Sequence, residues 1–175
     1  MSILKKWAGC VMTFIAGVLG LALSATTGMK TTTIIGSSTT KAHKVITDSE
    51  LMDMAEVLKI DGEFIIMKAF AIITLIISAL LIVYSIISLL QNLKIIKTKS
   101  NAINFIGLAL VVLLLVATIG LLIASNNYAS AMEDAMKIMG VTKVGIGVYQ
   151  PVMLAVSIIT LIVTSMFSFL KKKRG

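Results

Sequence analysis

The side chains capable of chemistry are few in this chain, and their spacing limits what they can do. The 175 residues include one Cys, one His and one Pro, so neither an internal disulfide framework nor a cysteine-based zinc site can be assembled. His43 stands between Lys41 and Lys44 in a Thr- and Ser-rich stretch. With no nucleophile or orienting group evident near it, it reads as a solvated side chain and not as a general base. Asp48, Glu50, Asp53 and Glu56 would offer hard oxygen ligands, but a calcium loop needs alternating ligands, a central Gly and a terminal Glu. These acids read instead as the solvated face of a helix, favourably placed near its N-terminus. Thioethers at Met52 and Met54, and at Met132 and Met136, raise the chemistry of Cu(I). Without His or Cys beside them, core-facing methionines are the better account. Cys10 reads as a buried thiol near one membrane face, within reach of palmitoylation. No catalytic, cofactor-binding or metal-ligating residue is assigned, so the expectation is a protein that is not an enzyme and carries no cofactor.

The elements that must position these residues are set by hydrophobicity. Hydrophobic residues make up 58% of the chain against 14% charged, and the mean hydropathy is +1.02, well above the roughly even apolar share of soluble domains. Four charge-free stretches, about residues 7–25, 69–90, 102–124 and 148–170, meet the length of about 20 residues that a hydrocarbon core of about 30 Å demands. They do not alternate, which excludes barrel strands. The expected fold class is an all-α membrane protein, a single-domain four-transmembrane-helix bundle. Its connections are outer loop 26–68, inner link 91–101, outer loop 125–147 and a basic tail at 171–175.

The net charge of +8 would suit nucleic acid only if basic and base-reading groups shared a water-facing surface. Instead Lys5 and Lys6, then Lys94, Lys97 and Lys99, then Lys171, Lys172, Lys173 and Arg174 form acid-free clusters beside the spans. The other two loops hold the remaining seven lysines and all eight acids, a net of −1. The positive-inside rule then places both termini in the cytoplasm of a multi-pass plasma-membrane protein. In a eukaryotic cell, Lys172 and Lys173 would also resemble a retrieval signal for the endoplasmic reticulum. The tail is expected to contact anionic lipid at the inner face, at about 1 kcal/mol per basic residue. Trp7 at the inner boundary and Tyr128 and Tyr149 at the outer one suit an aromatic belt, and Lys68 is placed to snorkel.

Outside the membrane, residues 26–47 fit a β-hairpin turning at Gly36-Ser37-Ser38, with disorder as the alternative. Thr47 with Glu50 makes a capping box for an amphipathic helix over about 48–60, and Ser130 with Glu133 makes another that Gly140 would end. The two short helices and the hairpin form an extracytoplasmic cap. Their apolar stripes must be buried by each other, by the hairpin or by a partner. Leu51, Met52, Met54, Leu58, Met132, Met136 and Met139 are the candidate partner surface, since Met adapts to varied binding faces.

Inside the membrane the four cores lack ionisable groups, which removes the usual marks of pumps, proton relays and intramembrane enzymes. Gly9, Gly17, Ala16 and Gly20 on the first span, Thr74, Ser78 and Ser85 on the second, and Thr160, Thr164 and Ser168 on the fourth are the candidate helix-packing faces. A hydrophilic seam lining a pore is the sharper alternative. The layout of four spans, inside termini and a longer first outer loop is similar to that of claudins and tetraspanins, in topology alone. The paired cysteines and Trp-containing motif of the claudin first loop and the Cys-Cys-Gly of tetraspanins are missing, so no functional residue carries over.

The expected function is that of a non-catalytic tetraspan acting as an assembly, scaffold or accessory subunit, with other membrane proteins or a homo-oligomer as partners besides the bilayer. The alternative is a subunit of an oligomeric pore or transporter. Lys5 and Lys6 followed by an apolar run and Ala22-Leu23-Ser24 also resemble a cleaved signal peptide, but the run is long for one and carries small residues spaced for packing. N-terminal sequencing of membrane-extracted protein should therefore read from the start of the chain. A start at Ala25 would leave three spans.

Overall fold

The computed structural model describes residues 2–26, 28–35, 37–96, 101–137 and 141–172, and the side chains of 7–26, 28–32, 40–96, 103, 105–137 and 143–166. The order of elements is α1 (Ser2–Ser24), β1 (Met29–Ile35), β2 (Ser37–His43), α2 (Ser49–Val57), α3 (Asp61–Asn92), α4 (Asn101–Met136), β3 (Val141–Ile146) and α5 (Tyr149–Lys172). Four of the helices, α1, α3, α4 and α5, are long and apolar enough to cross a membrane. They close a ring in which α1 packs on α3 and α5, and α4 packs on α3 and α5.

Only about a third of each span, 28–33%, is buried inside the bundle. The remainder is apolar as well: Ile73, Ile76, Leu80 and Val83 of α3 and Leu113, Val116 and Ile123 of α4 are all exposed. A helix that is hydrophobic all round and half uncovered has no soluble counterpart, because water would have to wet the outer face. The composition of the spans and their packing therefore point the same way, to a membrane-embedded chain.

Close approach of the helices depends on small residues. A Cβ added at Gly17 would lie 2.7 Å from the Ser78 carbonyl oxygen, and one at Gly20 would lie 2.0 Å from Ser78 Oγ and 3.2 Å from Met153 Cε. Gly20 thus sits where α1, α3 and α5 meet. Gly107 admits the Tyr84 ring and Gly120 the Phe70 ring in the same way, two packing sites that spacing alone did not reveal. At Gly9, by contrast, nothing among the described residues lies within 4 Å of an added Cβ.

The chain is mostly helical, at 79%, but all-α is too narrow a description. The expected hairpin is present, with Met29 opposite His43 and Ile35 opposite Ser37, and β1 also pairs antiparallel with β3. The result is a three-stranded sheet in the order β2-β1-β3. The third strand escaped the sequence because its partner lies more than a hundred residues earlier and no local signal marks such a pairing. Met29, Thr31, His43 and Val144 form the buried face of this sheet, whereas Lys30 and Ala42 on the alternate face are exposed, as the period of two requires.

The helix boundaries shift in three places. Instead of a separate second outer helix capped by Ser130 and Glu133, α4 runs unbroken from Asn101 to Met136, because no Gly or Pro interrupts residues 121–136. The first amphipathic helix is capped by Asp48, not Thr47, with the Asp48 side chain accepting from Glu50 N. α3 begins at Asp61, eight residues before the expected span, with Asp61 and Glu63 in its first turn, where the helix dipole favours them. Gly36 and Gly140 lie outside the described residues.

The sheet, α2 and the adjoining helix ends form a cap at one end of the bundle, and the start of α1, the end of α3, the start of α4 and the end of α5 lie at the other. Substitutions at the glycines test this packing. Gly17→Ala should destabilise the protein by about 1–3 kcal/mol as the helices are forced apart, whereas Gly9→Ala should be neutral or slightly stabilising. Thermal unfolding in detergent would register the difference.

Candidate functional site at the cap

The cap is held to the bundle from the first turn of α5. Gln150 Nε2 donates to the Gly28 carbonyl at 2.7 Å and to Ser125 Oγ of α4 at 3.0 Å. Gly147 N donates to the same Gly28 carbonyl at 2.8 Å, and Gly28 N donates to His43 O at 2.9 Å. One residue before β1 thus receives bonds from α5 and from the end of β3, and gives one to β2. Tyr128 adds a second tie, donating its hydroxyl to Leu51 O of α2 at 3.2 Å, with its ring centroid 5.7 Å from that of Phe64. Tyr128 and Tyr149 are fully buried, so neither belongs to an aromatic belt; each supports the cap from within.

His43 is not the solvated side chain expected from its sequence neighbours. It is 1% exposed, because position 43 of β2 pairs with Met29 on the sheet's buried face. Its Nδ1 lies 2.9 Å from Asp48 Oδ2 and its Nε2 lies 3.0 Å from Thr31 Oγ1. Asp48 Oδ1 meanwhile accepts from Glu50 N at 3.0 Å. A hydroxyl, an imidazole and a carboxylate in series are the parts of a nucleophile relay. Here Thr31 is only 6% exposed and His43 1%. In this position the His43–Asp48 contact joins the hairpin to the start of α2.

His43, Asp48 and Glu50 also place one donor atom each within 4.8 Å of one another, a spacing that would suit a metal ion. The donors are engaged within the chain: Nδ1 and Oδ2 with each other, and Glu50 with Lys41 at 3.5 Å. The neighbouring depression, lined by Ala42, Lys44, Thr47, Asp48, Ser49 and Glu50, brings a lysine as well as acids to its mouth.

The expected methionine-rich partner surface divides in two. Leu51 and Met132 are fully buried in the core and are unavailable to a partner. Met54, Leu58 and Met136 are half-buried and, with Val57 and Asp53, line a groove of about 240 Å³ between α2 and the end of α4. Met52 is exposed beside it, and Met139 lies outside the described residues. Val57 is 76% exposed and lies outside the helical stripe of Leu51, Met54, Ala55 and Leu58, so periodicity does not mark it. At the groove's edge the Asp134 carboxylate binds Lys137 and holds its ammonium above the usual range.

Within the bundle the hydroxyls serve packing. Thr74, Ser78, Ser85 and Thr160 are buried and donate to the carbonyl four residues earlier, and the half-buried Thr164 does the same. Thr13 and Ser85 bond at 2.8 Å between α1 and α3, and Thr118 and Ser157 at 3.1 Å between α4 and α5. Cys10 donates to Ser85 O at 3.0 Å. Lys68 holds its ammonium 5.8 Å from the Phe64 ring centroid, a cation–π contact at the cap end. The side chains of Ser168, Lys171 and Lys172, and the whole of Lys173 and Arg174, are outside the described set. Comparison with family models, curated proteins and solved structures gives no match for this chain.

Two substitutions separate the cap's ties. Gln150→Leu removes both side-chain donations and should cost about 1–3 kcal/mol, since the Gly28 and Ser125 acceptors lose a buried partner. His43→Ala should leave the bundle intact while accelerating amide exchange at the start of α2. Hydrogen exchange followed by mass spectrometry distinguishes the two patterns; uniform protection in the His43 variant would remove it as a joint.

Proposed function

We propose that this chain is a non-catalytic subunit of a membrane assembly, with its cap outside the cytoplasm and its acid-free basic segments at the cytoplasmic face of the plasma membrane. The observation that carries this reading is the unequal satisfaction of the two parts. The buried Thr13, Thr74, Ser78, Ser85, Thr118, Ser157 and Thr160 hydroxyls of the bundle are matched by its own carbonyls or by one another, whereas the cap presents an apolar groove, Met54, Val57, Leu58 and Met136, that nothing among the described residues covers.

Orientation rests on the charge distribution. The segments joining the bundle at the end away from the cap hold nine basic residues and no acid, and such an excess marks the cytoplasmic side. In that arrangement the four spans act as an anchor and spacer, and the cap meets the partner. Ordered hydroxyls bonded within or between helices favour packing over a conducting seam.

Gentle detergent extraction followed by size determination and mass spectrometry of copurifying proteins tests the proposal. A stoichiometric companion, or a defined oligomer, is the expected result; a strictly monomeric species without companions would overturn it. Reconstituted into liposomes alone, the pure protein should produce no selective ion or solute flux.

A further inference from the structure

We propose that the groove between α2 and the end of α4 is the docking site for a basic amphipathic helix of a partner protein. The inference rests on the assembly reading above and names the chemistry of the partner.

The groove combines three features. Its floor is apolar and adaptable, with Met54 and Met136 from facing elements and Leu58 between them, and methionine side chains accommodate varied apolar anchors. Its rim leaves Val57 at 76% exposure on a helix that already buries Leu51 and Ala55 on its other face. An apolar side chain this open gains nothing from the fold and would gain from a cover.

Charge selects what that cover is. Residues 53–59 and 133–137, which carry and adjoin the groove lining, hold Asp53, Glu56, Glu133 and Asp134 against Lys59 and Lys137, whereas Glu50 lines the neighbouring depression and pairs with Lys41. That is four acids with two lysines, a local net charge of 2 − 4 = −2. Asp53 itself lines the groove, and Glu56 on the next turn is exposed. An apolar trough with an acidic rim complements a helix with apolar residues on one face and Lys or Arg beside them.

Height argues against lipid as the occupant. The apolar stretch of α4 ends near Ala124, and Met136 is twelve residues further along the same unbroken helix, or about 18 Å at about 1.5 Å per residue. The polar headgroup layer extends only about 5–8 Å beyond the hydrocarbon. A groove at that distance is met by protein.

The test uses the full-length protein in nanodiscs of zwitterionic lipid and a fluorescein-labelled synthetic Lys/Leu amphipathic peptide of about 14 residues, about four helical turns, read by anisotropy. Saturable one-to-one binding is expected, with a Glu/Leu peptide of the same pattern failing to bind. Val57→Ser combined with Met136→Ala should weaken binding about tenfold or more, and Asp53→Asn combined with Glu56→Gln should flatten its dependence on salt. Both groove positions are at least partly open, and circular dichroism with thermal melting confirms that the variants stay folded. Equal binding to empty nanodiscs, equal binding of the Glu/Leu peptide, or undiminished binding by the Val57/Met136 variant would each overturn the proposal. Copurification separates this from the assembly reading. A companion retained by the Val57/Met136 variant overturns the groove and leaves assembly standing, and loss of that companion supports the groove. A partnerless wild-type protein overturns assembly whatever the peptide does.

Discussion

The carbonyl of Gly28 carries the connection on which the cap depends. It accepts from Gly147 N and from Gln150 Nε2, so the chain entering β1, the chain leaving β3 and the first turn of α5 converge on one acceptor. A side chain at position 28 would meet Val45 Cγ2 at 2.3 Å, which is why glycine stands there. The arrangement has a cost: Gln150 Oε1 and the Tyr149 hydroxyl are buried without a hydrogen-bond partner among the described residues, and such groups cost about 1–3 kcal/mol each. Three elements far apart in sequence are nonetheless ordered at once, and the position of α2 follows, because His43 of β2 holds Asp48 at its start and Tyr128 holds Leu51 within it.

Below the cap a different economy of polar groups prevails. In an apolar surrounding every hydroxyl needs an acceptor, and Thr and Ser on a helix find one in the carbonyl of the preceding turn. Side chains satisfied in this way are compact, and that compactness lets Gly17 and Gly20 of α1 approach the backbone of α3 at Ser78. The hydroxyls that bridge helices, Thr13 to Ser85 and Thr118 to Ser157, occur in pairs on opposite sides of the ring. The Thr and Ser hydroxyls of these helix contacts are therefore satisfied within the bundle.

The helical framework was legible because its signals are local. Length and hydropathy located the four apolar helices, although α3 begins eight residues earlier and α4 runs twelve residues further than their charge-free stretches, and the hairpin followed from β-branched residues around a turn. Legibility failed where the decisive partner was distant. Position 43 read as solvated from its lysine neighbours, yet its register opposite Met29 turns it inward. Tyr128 read as an interfacial anchor, but the nearby Phe64 ring and the Leu51 carbonyl enclose it. Ser130 and Glu133 had the spacing of a capping box, but a cap forms only where a helix begins, and no residue stops α4 before Met136.

By itself the amino-acid sequence determined the number and length of the apolar helices, the segregation of basic from acidic segments, and the absence of ionisable groups from the spans, since each depends on composition along a continuous stretch. Tertiary structure alone decided which methionines are core and which are surface. Leu51 and Met132 are consumed by packing while Met54, Val57, Leu58 and Met136 remain at an open groove. The difference arises because α2 and the end of α4 are separated by about half the chain, and burial at their contact depends on how closely the sheet and the Tyr128 tie bring them together.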